Sequence, residues 1–302
     1  MRKLVNVFNR REVILYHSCQ MREFDTYLKL GGIPSRNLIE ESGFELTPFQ
    51  SDQNDKKNQV WDKVFVNLID FGRIFAGGNT GVPTVYGPIL FKIGPDALFE
   101  AEDVAICLRS AGVEGFDREE EAIKTIQDIE KLFTNSTNDE PKSREQLKES
   151  FDMDYVSHPE ISCTYSDELL HMEFVSKIIV DPYDLDGERF VKIVEKSLSE
   201  KSPVPEIFVE GRDLVTRKRR SMYNTLVDIL AKSDSVPGYA VLMNDPEVST
   251  DIKEWLEDIK DKNLLKQWSR YAGYFQNGTL GYLDVKGSRK PSKAVIDLES
   301  IF

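Results

Sequence analysis

Hydrophobic positions along this chain change period several times, and those changes outline its elements. In REVILYHSC, apolar Val13, Ile14 and Leu15 lead into Tyr16, His17 and Ser18, which predicts a strand over 11–19 with a polar end. MREFDTYLKLGG places Phe24, Tyr27, Leu28 and Leu30 on roughly one helical face. The Gly31-Gly32 pair that follows is a helix stop, because glycine accepts the left-handed backbone of a C-terminal cap. IPSRNLI reads as an extended piece, and the polar residues 45–59 read as a surface loop. WDKVFVNLIDF returns to period two, with Val64, Val66 and Leu68 on one face and Phe65 and Ile69 on the other. GRIFAGGNTGVPT is a glycine-rich loop. Ile89, Phe91 and Ile93 then alternate in a further strand, and DVAICLRS is another short one.

Residues 117–134 carry Ile123, Ile126, Ile129 and Phe133 at helical spacing behind Asp117, which predicts one capped helix. A polar break over TNSTNDEPKSREQ separates it from SHPEISCTYSDELLHMEFVSKIIV, residues 157–180, whose last residues read as a buried strand stopped by Asp181-Pro182. Beyond that point ERFVKIVEKSL, TRKRRSMYNTLVDILAK and STDIKEWLEDIKDKNLLKQWSRYAGYF read as helices, with a short strand EIFVE between them. The expectation is an α+β protein: a strand-rich region at 1–183 and a mainly helical region at 184–302 packed on it.

Composition narrows the class. The 302 residues are 40% hydrophobic and 10% aromatic, as in an ordinary globular protein. They contain no apolar run long enough to span a bilayer and no signal-peptide pattern at the start. Cys19, Cys107 and Cys163 are too unevenly spaced for a disulfide framework or a paired-cysteine metal site and fit a reducing cytoplasm. The net charge of -13 opposes non-specific binding to nucleic acid or an anionic membrane. It does leave room for a local basic patch, and GRDLVTRKRRSMYN offers Arg212, Arg217, Lys218, Arg219 and Arg220, read equally well as a solvated helix start.

The chain has no phosphate-binding GxxxxGK[ST] loop, no HExxH and no GxSxG. The spacing of His158, Cys163 and His171 fits no ordinary zinc pattern, and no metal is expected. What remains is a set of polar residues at the ends of strands: His17 and Ser18, then Arg36 after the glycine pair, then Arg73, then Glu168. Taken in this order, YHSCQMREFDTYLKLGGIPSRNL, FVNLIDFGRIF and SDELLHMEFVSKIIV resemble the ADP-ribosyltransferase superfamily and look most like its DarT-like branch. The resemblance spans roughly residues 11–180 and rests on short matches. That branch also carries an arginine ahead of the VFVNL-type strand, where this chain has Lys56 and Lys57.

The resemblance implies a split β-sheet core that binds NAD in a cleft. It implies mono-ADP-ribosyl transfer from NAD, used as a substrate without metal, to a macromolecular acceptor in a toxin or defence setting. Nucleic acid is favoured over protein as acceptor, and an antitoxin partner is expected. Glu168 and Arg73 would be catalytic. His17, Ser18, Cys19, Arg36 and Tyr86 would meet NAD, and Arg217, Arg219 and Arg220 would hold the acceptor. The residues before Glu168, about 151–165, would form the loop that reads it. The chemistry suits those residue types: a carboxylate supports the ribose cation made when the glycosidic bond of NAD breaks, and arginine pairs a pyrophosphate bidentately. Two other readings use the same residues, a non-enzymatic interaction protein and a glycohydrolase with Glu168 and Asp167 as an acid/base pair.

Overall fold

In the computed structural model, residues 2–19, 21–44, 46, 51–71, 89–137, 139–180 and 187–212 are described. Their elements are α1 (Arg2–Arg10), β1 (Leu15–Cys19), α2 (Met21–Leu30), β2 (Gly32–Pro34), α3 (Arg36–Glu41), α4 (Asp52–Lys57), β3 (Val64–Asn67), β4 (Ile89–Ile93), β5 (Asp103–Cys107), α5 (Arg118–Glu121), α6 (Ile126–Glu130), α7 (Arg144–Phe151), β6 (Glu160–Thr164), β7 (Leu169–His171), β8 (Val175–Val180), α8 (Gly187–Lys201) and β9 (Phe208–Gly211). The class is α+β. Seven strands form one sheet in the order β5-β6-β3-β1-β4-β8-β9, and β2 and β7 form a separate two-stranded sheet. Pairing in the large sheet is antiparallel except at its edge, where β9 runs parallel to β8 after a crossover through α8. No helix among the described residues is long and apolar enough to cross a membrane.

The alternation read from the sequence decides which side chains go inside. Leu15, Val64, Val66, Phe91, Ile93, Ile161, Cys163, Ile178 and Val180 are buried and join Val5 and Phe8 of α1 and Phe24, Tyr27 and Leu28 of α2 in one core cluster. Each large apolar side chain buried in this way stabilises the fold by roughly 1.5–3 kcal/mol before the entropy of ordering it is counted. Phe91, on the second-central strand, is the hub: its ring centroid lies 5.9 Å from Phe24, 6.1 Å from Tyr27 and 6.3 Å from His17.

Four local expectations are corrected, through capping, charge order and strand pairing that the apolar pattern does not carry. The segment expected to be extended at IPSRNLI turns into α3 after β2, because the Ser35 hydroxyl accepts the Leu38 amide at 2.9 Å. The expected loop at 45–59 contains α4, whose first turn holds Asp52 and Asp55 and whose last holds Lys56 and Lys57, the charge order a helix favours. The single helix expected over 117–134 is two. Asp117 caps α5 and Thr125 caps α6, while Ile123 between them bonds back to Ile106 of β5 at 2.8 Å. The expected acceptor loop at 151–165 is irregular only over 152–159: Phe151 ends α7, begun by a Ser143–Gln146 capping box, and Glu160–Thr164 form β6, a strand paired on both sides. The N-terminal residues, assigned to no element by pattern, form α1.

The short sheet is the piece that positions Glu168, and Gly32 permits it. A Cβ at Gly32 would stand 2.3 Å from the Leu170 carbonyl oxygen, on backbone that cannot yield without parting β2 from β7. Gly31 does a different job: at φ +85 its amide closes α2 on the Tyr27 carbonyl at 2.9 Å, the expected helix stop. Gly32→Ala is expected to lower the unfolding free energy by about 1–3 kcal/mol through this overlap. A urea midpoint unchanged from wild type would show that the two strands are not so closely held.

Candidate active site around Glu168

Glu168 lies in the turn between β6 and β7, and its backbone is left-handed at φ +56. A glutamate there costs of order 1 kcal/mol, since its Cβ crowds the following carbonyl. The turn is fixed from outside. The Glu168 amide bonds the Tyr165 carbonyl at 3.1 Å, and the Glu168 carbonyl accepts the Ser35 amide at 2.8 Å. The side chain is partly buried. Its Oε2 accepts the Ser35 hydroxyl, and its Oε1 accepts the Asn37 side-chain Nδ2–H at 3.1 Å. Ser35, 1% exposed, thus serves two elements at once, accepting from Leu38 to start α3 and donating to Glu168. Each carboxylate oxygen keeps a further lone pair for a ligand hydroxyl.

Arg36, between those two residues, faces another way. Its guanidinium pairs with Asp52 of α4 at 3.0 Å and lies 4.9 Å from the centroid of Trp61. The Trp61 carbonyl accepts the Asn37 amide at 3.0 Å, and its ring nitrogen donates to Glu40 at 2.8 Å. Trp61 therefore fixes the turn that fixes Glu168. A pyrophosphate reaching Arg36 would compete with the Asp52 carboxylate.

His17 sits on β1 opposite Phe91 of β4. Its Nδ1 is 2.7 Å from the Phe65 carbonyl, which can only accept, so the proton belongs there; Nε2 then accepts the Tyr27 hydroxyl at 3.2 Å. Burial lowers its pKa to about 4 against the opposing effect of that carbonyl, and the ring is neutral at physiological pH. Burial also raises the Tyr27 phenol well above its ordinary value, with Glu23 and Cys19 adding to the shift and Arg36 opposing it.

The remaining expected site residues divide. Ser18 lies next to His17, opposite Leu90, and is partly buried. Cys19 is 1% exposed in the core, its thiol pushed well up by burial and by Glu23, and it presents no surface to a ligand. Arg73, Tyr86, Arg217, Arg219 and Arg220 lie outside the described residues. Of the basic cluster, Arg212 is described: it is 7% exposed and makes a bidentate pair with Asp70 at 2.8 Å and 2.8 Å, a structural use of its charge. Among the described residues no group of three or more His, Cys, Asp or Glu side chains is placed to hold a metal ion. His158 packs edge-on against Phe71 at 5.5 Å with its pKa lowered to about 4 by burial, and His171 pairs with Asp167 at 3.0 Å.

Pattern reading missed Ser35 and Asn37 as partners of Glu168, along with Tyr27 and Trp61. A signal for the first two was present: Ser-x-x-Leu after a strand and glycine pair marks a helix N-cap, and an N-cap serine in a turn is well placed to hold a second group. The chain matches no known family model and no curated protein.

Proposed function

We propose that this chain is a mono-ADP-ribosyltransferase that moves ADP-ribose from NAD to a macromolecular acceptor, with nucleic acid favoured. The observation that carries the reading is the Glu168 carboxylate. It stands in a left-handed turn and is held on both oxygens by a turn more than 130 residues earlier in the chain. Strained backbone of this kind is enriched at functional sites, and here it comes with a carboxylate held on both oxygens. The segments that supply Glu168, Ser35 and His17 are also the ones that resemble the transferase superfamily.

The roles follow from the donors present. Glu168 would accept a hydroxyl of the nicotinamide ribose while Ser35 and Asn37 keep its carboxylate fixed in place. As the C1′–N bond breaks, its electron pair leaves on neutral nicotinamide and positive charge develops on the ribose beside Glu168. A nitrogen or oxygen of the acceptor then adds to C1′ and releases its proton to solvent. Neutral His17 would offer Nε2 to a hydroxyl of the other ribose in place of the Tyr27 phenol, whose 3.2 Å contact is at the long end for a hydrogen bond.

Incubation with NAD labelled in its adenylate, together with cell extract, tests the reading. Label is expected in the DNA or RNA fraction. Label on protein would correct the acceptor, free ADP-ribose alone would favour the glycohydrolase, and label in no fraction would leave an interaction protein.

A further inference from the structure

Away from Glu168, the end of α1 and the segment from α6 to residue 142 enclose an open recess of about 610 Å³. Four cations line it, Arg10, Arg11, Lys131 and Lys142, with Gln127 and Ser136 as neutral donors and Glu130 as its one carboxylate. In a chain of net charge -13, that local balance is opposite to the molecule as a whole.

The recess has a rigid floor and a polar rim. Arg11 is 2% exposed, with its guanidinium 4.5 Å from the centroid of Phe133. Its Nη1 donates to the Asn135 carbonyl at 2.7 Å, and its Nε and Nη2 donate to Glu130. Glu130 also accepts from Arg10, so one carboxylate serves two guanidiniums and leaves the trio positive. The remaining cations stand around it. The Arg10 side chain is 60% exposed, and Lys142 donates its ammonium to a neutral group, the Ser150 hydroxyl, at 2.8 Å. Lys131 pairs with Asp128 at 2.7 Å. The volume lies within the range of small-ligand sites. An open mouth lined by cations suits a group that keeps part of its hydration and carries concentrated negative charge.

We propose that this recess is a phosphate-binding site, recognising the phosphate of a free nucleotide or the phosphodiester of a nucleic-acid strand through Arg10, Lys142 and Lys131. Arg11 and Glu130 act as its scaffold. The site does not depend on the transferase reading, because its readout is binding without NAD.

The test uses the full chain with three probes: inorganic phosphate, ADP and a fluorescently tagged twelve-nucleotide single strand, each titrated at 50 mM salt. Arg10→Ala/Lys142→Ala is compared with wild type and with Lys192→Ala/Lys196→Ala, a charge-matched control on α8. At least one probe is expected to bind wild type and control alike and to bind the recess variant about tenfold more weakly, with thermal melts confirming that all three are folded. Loss confined to ADP and phosphate assigns the free nucleotide. Loss for the strand, with a salt slope reduced by about 0.7 for each cation removed, assigns the phosphodiester. Equal binding by all three proteins, or no binding of any probe, overturns the proposal.

Discussion

Glu168→Gln is expected to cut label transfer from NAD by about 10³-fold, the scale seen when a charge-stabilising group is removed from a reacting centre. The substitution is chosen because glutamine keeps the shape and can keep much of the local bonding. Its oxygen still accepts the Asn37 amide, and its amide can donate to the Ser35 hydroxyl, which has a lone pair to spare beyond the one serving Leu38. What disappears is the negative charge that would face the ribose cation. The left-handed backbone at Glu168 gives the test a second arm. Glycine removes the Cβ that makes this φ costly, so Glu168→Gly relieves about 1 kcal/mol of strain while deleting the two side-chain bonds. Both variants should melt close to wild type and both should be inactive. If Glu168→Gln retained more than a tenth of the transfer, another residue would be the stabiliser, and the Glu168 turn would be only a clasp between β7 and α3.

How much of this was legible beforehand follows from what period carries. Alternation at Val64, Val66 and Leu68, and at Ile89, Phe91 and Ile93, states which side chains a pleated strand buries, and all six are buried. Placing Glu168 at a strand entry beside Leu169 and Leu170 was likewise a local inference, and the turn before β7 is where it lies. Period carries nothing about short capped elements. α3, α4, α5 and α6 have six or fewer residues each, too few for a helical stripe, and their ends are set by Ser35, Asp117 and Thr125 rather than by apolar spacing. The site fell in the same gap. Ser35 and Asn37 find Glu168 only because Gly32–Pro34 pairs with Leu169–His171, a contact across some 135 residues that no local pattern encodes. The chemical types were readable and their meeting was not. Cys19 shows the converse error: it falls on the same face of β1 as Leu15 and goes to the core with it.

Stability is also expected to depend on pH through two carboxyls, Asp55 of α4 and Glu160 of β6. Glu160 of β6 accepts the Ala111 amide at 2.8 Å; burial raises its pKa to about 7 against that bond, and Asp55 adds to the rise. Burial likewise raises Asp55 to about 6, with Ser51 and Arg36 opposing and Asp52 assisting. The loop over them is pinned by Asn54 to the Gly112 carbonyl and by Asn58 to the carbonyls of Ala111 and Val113, so the carboxyls cannot simply turn out to water. Acids whose folded pKa is raised favour the native state fully below their unfolded values near 4 to 4.5. That contribution is lost as pH rises through about 6 and 7. For Glu160 alone the shift corresponds to roughly 3 kcal/mol at full burial, and solvent relaxation brings a working figure nearer 2. Glu160→Gln retains an acceptor for the Ala111 amide and has no charge to bury. Urea midpoints should therefore coincide for wild type and variant near pH 4.5. By pH 8 the variant should be more stable by about 2 kcal/mol, with most of the divergence between pH 4.5 and about 7. Parallel profiles across that window would mean that Glu160 ionises without penalty and that its surroundings are wetter than its burial indicates. A divergence at pH 8 that vanished in an Asp55→Asn background would instead assign the effect to repulsion between the two carboxylates rather than to the desolvation of either.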